Sequence, residues 1–171
     1  TTGFIVGGLV ITGAAGLLGK MHSDAIAMYG GHPVLLDLNQ ESVDQVSNEL
    51  KKKYKTNSLA LSVDITNETQ VEKSVKTILD KYGKIDGLVN NAANNPKVEN
   101  SEVKNFSRLE NFLLDTWNQD ISVGLTGAFL CSKYYGFEIS NNPQGGSIVN
   151  ISSDLGLIAP DQRLYSQQSL T

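Results

Sequence analysis

The sequence has one cysteine, Cys131, among 171 residues. A single thiol excludes an internal disulfide and a cysteine-based metal cage, and it points to a reducing, cytoplasmic setting. Histidine is nearly absent as well. His22 and His32 do not pair at metal-ligand spacing, so no metal site is expected, and both read as solvent-facing. No apolar run approaches the ~20 residues of a membrane span, and Thr1–Val6 carry no basic signal-peptide segment. Positive charge is in deficit, with 14 Lys and Arg against 18 Asp and Glu. The net −4 offers no basic field for nucleic acid or an anionic membrane. What remains, 40% apolar and 19% charged, is the composition of one globular domain. Thr1 is not a natural start, so the chain reads as trimmed.

Glycine is well supplied, and its placement organises the chain. Thr12-Gly13-Ala14-Ala15-Gly16-Leu17-Leu18-Gly19 follows the apolar run Leu9-Val10-Ile11 and leads into Leu18, Met21, Ala25 and Met28 at helical spacing. A strand, a tight glycine turn and a helix start suit a dinucleotide pyrophosphate, because backbone N–H groups and the helix dipole face the phosphates. Asp37 ends the run Val34-Leu35-Leu36 close to the ~20-residue spacing expected of a ribose-binding acid. No arginine neighbours it, which favours NAD over NADP.

The first helix is expected to end near Tyr29-Gly30-Gly31, and Pro33 to open the strand Val34–Leu38. A second helix from Gln40 carries Val43, Val46, Leu50 and Tyr54, with Lys51–Lys53 at its C-terminal end. Leu59–Val63 reads as a strand. A third helix from Thr66-Asn67-Glu68 buries Val71, Val75, Ile78 and Tyr82, and stops at Gly83 before the strand Ile85–Asn90. Asn91 to about Leu114 is polar and aperiodic, a length more often functional than structural. Asp115 to Ile139 reads as one long helix, apolar at Trp117, Ile121, Leu125, Ala128, Ser132 and Tyr135. The strand Ser147–Ile151 follows, then a loop-like tail from Ser152 to Thr171. Strands alternating with helices predict an α/β, doubly wound parallel sheet in three layers. Ligands of such sheets bind beyond the carboxyl ends of the strands, where Asp37, Asp64, Asn90, Asn91, Ser152 and Ser153 all fall.

These residues resemble the short-chain dehydrogenase/reductase family. The resemblance rests on Thr12-Gly13…Gly16…Gly19, Asp64-Ile65-Thr66, Asn90-Asn91-Ala92-Ala93, Leu125-Thr126-Gly127 and Gly146-Ser147-Ile148-Val149-Asn150-Ile151-Ser152-Ser153. It implies a single NAD(P)-binding Rossmann domain over residues 1–171, with NAD held by Thr12, Gly13, Gly16, Leu17, Leu18, Gly19 and Asp37. Asp64 or Ile65 would touch the adenine, Asn91, Ala92 and Ala93 would line the cofactor site, and Asn90 would brace the central strand. Ser153 would hydrogen-bond the oxygen of a small-molecule substrate. Short-form members pair through the long helix, so a homo-oligomer is implied, with Trp117 and Tyr135 in the core or the interface. The stretch from Ser153 to Tyr165 resembles members of bacterial surface-sugar biosynthesis, which implies a polar, hydroxylated substrate.

Three departures stand out. Leu17 takes a glycine position of the short form, giving the spacing of the extended branch that includes nucleotide-sugar epimerases and dehydratases. Gly124 stands where the family places a catalytic asparagine, and glycine keeps a bend but makes no hydrogen bond. The Tyr-x-x-x-Lys pair is missing, since Ser169 stands four residues past Tyr165. A lysine one turn away is what lowers a tyrosine pKa from ~10 toward working pH. Either the protein is a non-catalytic NAD-binding module, or the chain continues past Thr171 into the pair and the last strands; continuation is the expectation here. The simpler roles stay open: Asp37 and Asp64 as caps, Asn90 and Asn91 as partners of strand-end backbone, Ser153 as a turn serine, and Cys131 as a small packed group.

Overall fold

The computed structural model describes residues 7–94, 108–158 and 161. Five strands form one parallel sheet: β1 (Gly8–Thr12), β2 (His32–Asp37), β3 (Leu59–Ser62), β4 (Ile85–Asn90) and β5 (Ser147–Asn150). Their order is β3-β2-β1-β4-β5. The chain thus winds outward from β1 in both directions, which opens a crevice at the carboxyl ends of β1 and β4. Helices α1 (Leu17–Met28) and α2 (Gln40–Tyr54) cover one face, and α3 (Glu68–Tyr82) and α5 (Ala128–Ser140) the other. Strand alternation sorts the core accordingly. Ile11 and Leu35 pack with Ala27, Val43, Val46 and Leu50. Val10, Val34, Leu36 and Leu88 pack with Val71, Ile78, Cys131, Tyr135 and Ile139.

The second and third helices begin and end where the sequence says. Asn39 accepts from Ser42 N at 3.0 Å and Asn67 from Gln70 N at 3.1 Å, each as an N-cap. Gly83, at φ +75°, ends α3. The first helix differs. Leu18, Met21, Ala25 and Met28 face outward, and the buried face is Gly19, Ser23 and Ala27. Small residues let α1 close on the turn: a Cβ on Gly19 would lie 2.7 Å from Ala14 Cα. Ser23 turns its hydroxyl back to Gly19 O at 2.7 Å.

The expected long helix is interrupted. α4 (Leu114–Ile121) passes into a π-helical turn over Ser122–Gly127 before α5. The wider turn advances the chain by one residue and rotates the buried face. Trp117, Ile121 and Leu125 are therefore exposed, whereas Leu130, Cys131, Tyr135 and Ile139 are buried. Gly127 permits the contact that fixes this phase, since a Cβ there would meet Ile65 Cδ1 at 2.6 Å.

The histidines are half-buried rather than fully solvent-facing. His32 stacks on Tyr82 with ring centroids 5.4 Å apart, which withdraws Nδ1 from water, and His22 Nε2 is likewise buried without a partner. Cys131 packs as expected, and burial pushes its thiol up to about 12. Along β5, which pairs only with β4 among the described residues, every residue is exposed. Among the described residues no helix is long and apolar enough to cross a membrane, and no group of three metal-ligating side chains occurs. Most of the polar stretch Asn94–Asn105, and Tyr165 with the Ser166–Ser169 tail, lie outside the described residues.

Candidate functional site

The crevice is assembled from strand ends. Gly13 leaves β1 at φ +63°, and a Cβ on it would sit 3.0 Å from Ala92 Cα, so the turn and the segment after β4 touch through backbone. Thr12 joins them: its Oγ1 accepts from Asn91 N and Ala92 N, both at 3.0 Å. Asn91 completes the clasp by donating Nδ2 to Thr12 O at 2.9 Å. Asn91 thus partners strand-end backbone, and it lines the crevice as well. Gly16 then starts α1 with no side-chain cap and no acid in the first turn. The first helical N–H groups are left for another acceptor.

Asp37, at the end of β2, faces this turn. Its Oδ2 accepts from Ala15 N at 3.0 Å and its Oδ1 from Leu38 N at 2.8 Å. The carboxylate therefore straps the glycine turn to β2 and keeps further lone pairs for a ligand. Asp64 works locally, accepting from Thr66 N at 2.9 Å and Thr66 Oγ1 at 2.7 Å, while Asn67 caps the helix.

A cleft of about 400 Å³ runs along these groups. Ten residues expected at a cofactor site line it: Gly13, Gly16, Leu17, Leu18, Asp37, Asp64, Ile65, Asn91, Ala92 and Ala93. Thr12 and Gly19 lie behind it, in the clasp and in the helix–turn contact. Sequence reasoning missed Leu36, Leu38 and Val63, apolar walls at the ends of β2 and β3, and Gln119 and Val123 on the far side, where Asn94 also lies at the start of the polar stretch expected to wall the site. The strand-end walls had a signal, since they flank Asp37 and Asp64. Gln119 and Val123 had none, because the helix that carries them meets Asn94 only in the tertiary fold, where Asn94 Nδ2 donates to Asp120 Oδ1 at 2.8 Å.

A second cavity of about 660 Å³ shares Leu18, Ile65, Asn91, Ala92 and Ala93 with the first. Gly124, Leu125, Phe129, Ser132, Asn150 and Ser153 line the remainder. Ser153 caps a short 3-10 turn over Asp154–Gly156, with Oγ accepting from Leu155 N at 3.2 Å and donating to Asp154 Oδ1 at 3.0 Å. Asn90 braces β4 by donating to Ser132 Oγ at 3.1 Å and to Asn150 Oδ1 at 2.8 Å.

Known proteins share this arrangement. The family model described as short chain dehydrogenase matches residues 8–166. An NAD-dependent glycerol dehydrogenase of Listeria innocua is 33% identical over 155 residues, 91% of this chain and 56% of that protein. An uncharacterized oxidoreductase of Bacillus subtilis, YxjF, is 33% identical over 87% of this chain and 54% of its own length. The chain thus spans about half the length of these two curated relatives. Among solved structures, an NAD+-bound xylitol dehydrogenase superposes with a TM-score of 0.82 at 24% identity, covering 98% of this chain and 61% of its own. Sorbitol-6-phosphate 2-dehydrogenase SrlD of Erwinia amylovora gives 0.79 at 23%, covering 92% and 58%. At those identities the structural likeness speaks for the fold, and the family match over most of the sequence speaks for descent. The chain belongs to the short chain dehydrogenase family, whose members bind a nicotinamide cofactor.

Proposed function

We propose that this protein is part of an NAD-dependent oxidoreductase acting on a hydroxyl or carbonyl carbon of a polar, polyhydroxylated small molecule. One observation carries the reading. The uncapped start of α1 and the Asp37 carboxylate share one cleft, a donor set for a pyrophosphate beside an acceptor for ribose hydroxyls. No lysine or arginine among the described residues lines that cleft, which favours free ribose hydroxyls over a 2′-phosphate. Leu36, Leu38, Val63 and Ile65 offer the apolar slot that an adenine ring requires. When bound, the nicotinamide supplies the hydride acceptor or donor.

The second cavity is the substrate space in this reading. Ser153 would orient the reacting oxygen there once its hydroxyl leaves Asp154. No tyrosine of the 171 residues has a lysine four positions on, so we assign the proton step to residues outside them. The NAD dependence and polyol substrate of the Listeria relative support the same choice.

Calorimetric titration of NAD and NADP into the wild type and Asp37→Ala tests the proposal. The wild type is expected to prefer NAD, and Asp37→Ala to lose at least about tenfold in NAD affinity, about 1.4 kcal/mol, with a smaller change for NADP. Failure of the wild type to bind either dinucleotide overturns the reading. A second reading, a coenzyme-binding module without turnover, is favoured by the engagement of Ser153 in its own turn. It predicts NAD binding with no NADH formed from glycerol or longer polyols.

A further inference from the structure

Three side chains from three elements meet at the wall of the second cavity. Asn90 of β4 donates both protons of Nδ2, one to Ser132 Oγ of α5 and one to Asn150 Oδ1 of β5. The residue is 6% exposed, and its Oδ1 is shut off from bulk water with no donor. The hydrogen-bonding capacity of the cluster is therefore out of balance. Only Asn90 Oδ1 is stranded: Ser132, half-buried, accepts from Asn90, and it and the exposed Asn150 keep donors unengaged by the described residues. Turning the Asn90 carboxamide over does not cure the mismatch, because Nδ2 then becomes the stranded end.

Stranded polar atoms of this kind are met in folded proteins by internal water or by a bound ligand. A hydroxyl fits the imbalance. Its proton can go to the Asn90 carboxamide oxygen, while its oxygen accepts from Ser132 and Asn150. All three residues line the cavity. Gly124 lines it too, and a Cβ at that position would meet nothing within 4 Å, so space is left beside the cluster.

We infer that Asn90, Ser132 and Asn150 form a hydroxyl-binding subsite, which holds one hydroxyl oxygen from an internal water or from a polyol in the cavity. The water source stands without the redox reading. The polyol source rests on that reading, which the NAD titration tests separately.

Crystals of the wild type and of Ser132→Ala, grown without polyol and then soaked in glycerol, decide the matter. Unsoaked wild-type crystals are expected to show one oxygen peak within hydrogen-bonding distance of Asn90 and Ser132. After soaking, a lone peak identifies water, and density continuous with carbon identifies a polyol hydroxyl. Ser132→Ala, a small change that leaves the backbone intact, is expected to lose the peak. In solution, water cross-peaks to the Asn90 side-chain amide are expected in the wild type and at least about fivefold weaker in the variant. A dry cluster in both wild-type crystals, glycerol bound elsewhere in the cavity while the cluster stays dry, or a peak unchanged in Ser132→Ala overturns the subsite.

Discussion

The two sides of the crevice are built on opposite terms. On the β1–α1–β2 side backbone meets backbone: the Gly13 carbonyl lies where a side chain at Gly19 would have to go, and Ala92 closes on Gly13. On the β5 side the same chain leaves room. Gly124 has open space around it, and Ser153 hydrogen-bonds within its own turn. Shape on the first side is imposed by atoms that cannot move apart. On the second it is held by a few hydrogen bonds, from Asn90 and from the turn at Ser153.

Substitutions at paired positions sharpen that contrast. Gly19→Ala is expected to have the largest effect, about 3 kcal/mol of lost stability by chemical denaturation, with NAD binding abolished because the turn must open. A wild-type-like denaturation midpoint would show that the close approach is not needed. Tyr135→Phe comes next. The Tyr135 hydroxyl lies 2.6 Å from Ser74 Oγ at full burial, so its removal should cost about 1 kcal/mol, read in the same assay. Gly124→Ala should have the smallest effect and the opposite sign, a gain of up to about 0.5–1 kcal/mol, because alanine restricts the unfolded chain and finds free space here.

Cys131 offers a pH test of the packed side. Its thiol is raised from 9.0 to about 12 by burial. The neutral form is favoured in the fold, so the native state gains from this group below pH 9 and loses that gain as pH rises toward about 12. The native protein should therefore resist a thiol reagent at pH 8 and react on unfolding, as measured by intact mass. Rapid native labelling would mean that the α3–α5 side of the core opens.

The sequence disclosed most of the frame and less of its phase. Strands β1 to β5 are legible from apolar runs with polar ends, α2 from its stripe Val43, Val46, Leu50 and Tyr54, and α3 from Asn67 and Gly83, whose capping chemistry is local. The buried face of α1 was not legible. Gly19, Ser23 and Ala27 carry little apolar character, and close approach rather than hydrophobicity turns them inward. The same holds for the π-helical turn, where Gly127 and Ile65 set the phase from 62 residues apart in sequence. At the site, Asp37 was legible as an acid at a strand end, whereas its bond to Ala15 N depends on the fold. The triangle of Asn90, Ser132 and Asn150 was hidden for the same reason.

The wide turn at Ser122–Gly127 has one more consequence. It accommodates an extra residue inside a rod, where length changes are ordinarily forbidden, much as a loop absorbs an insertion. Deleting one residue there would let the rod close into regular α-helix with its two halves in their present phase, but closing it with every residue kept would swing Trp117 and Gln119 about 100° around the axis relative to Tyr135. Everything upstream would then address the cleft with a different set of side chains, while the buried half of the rod stayed seated on the sheet.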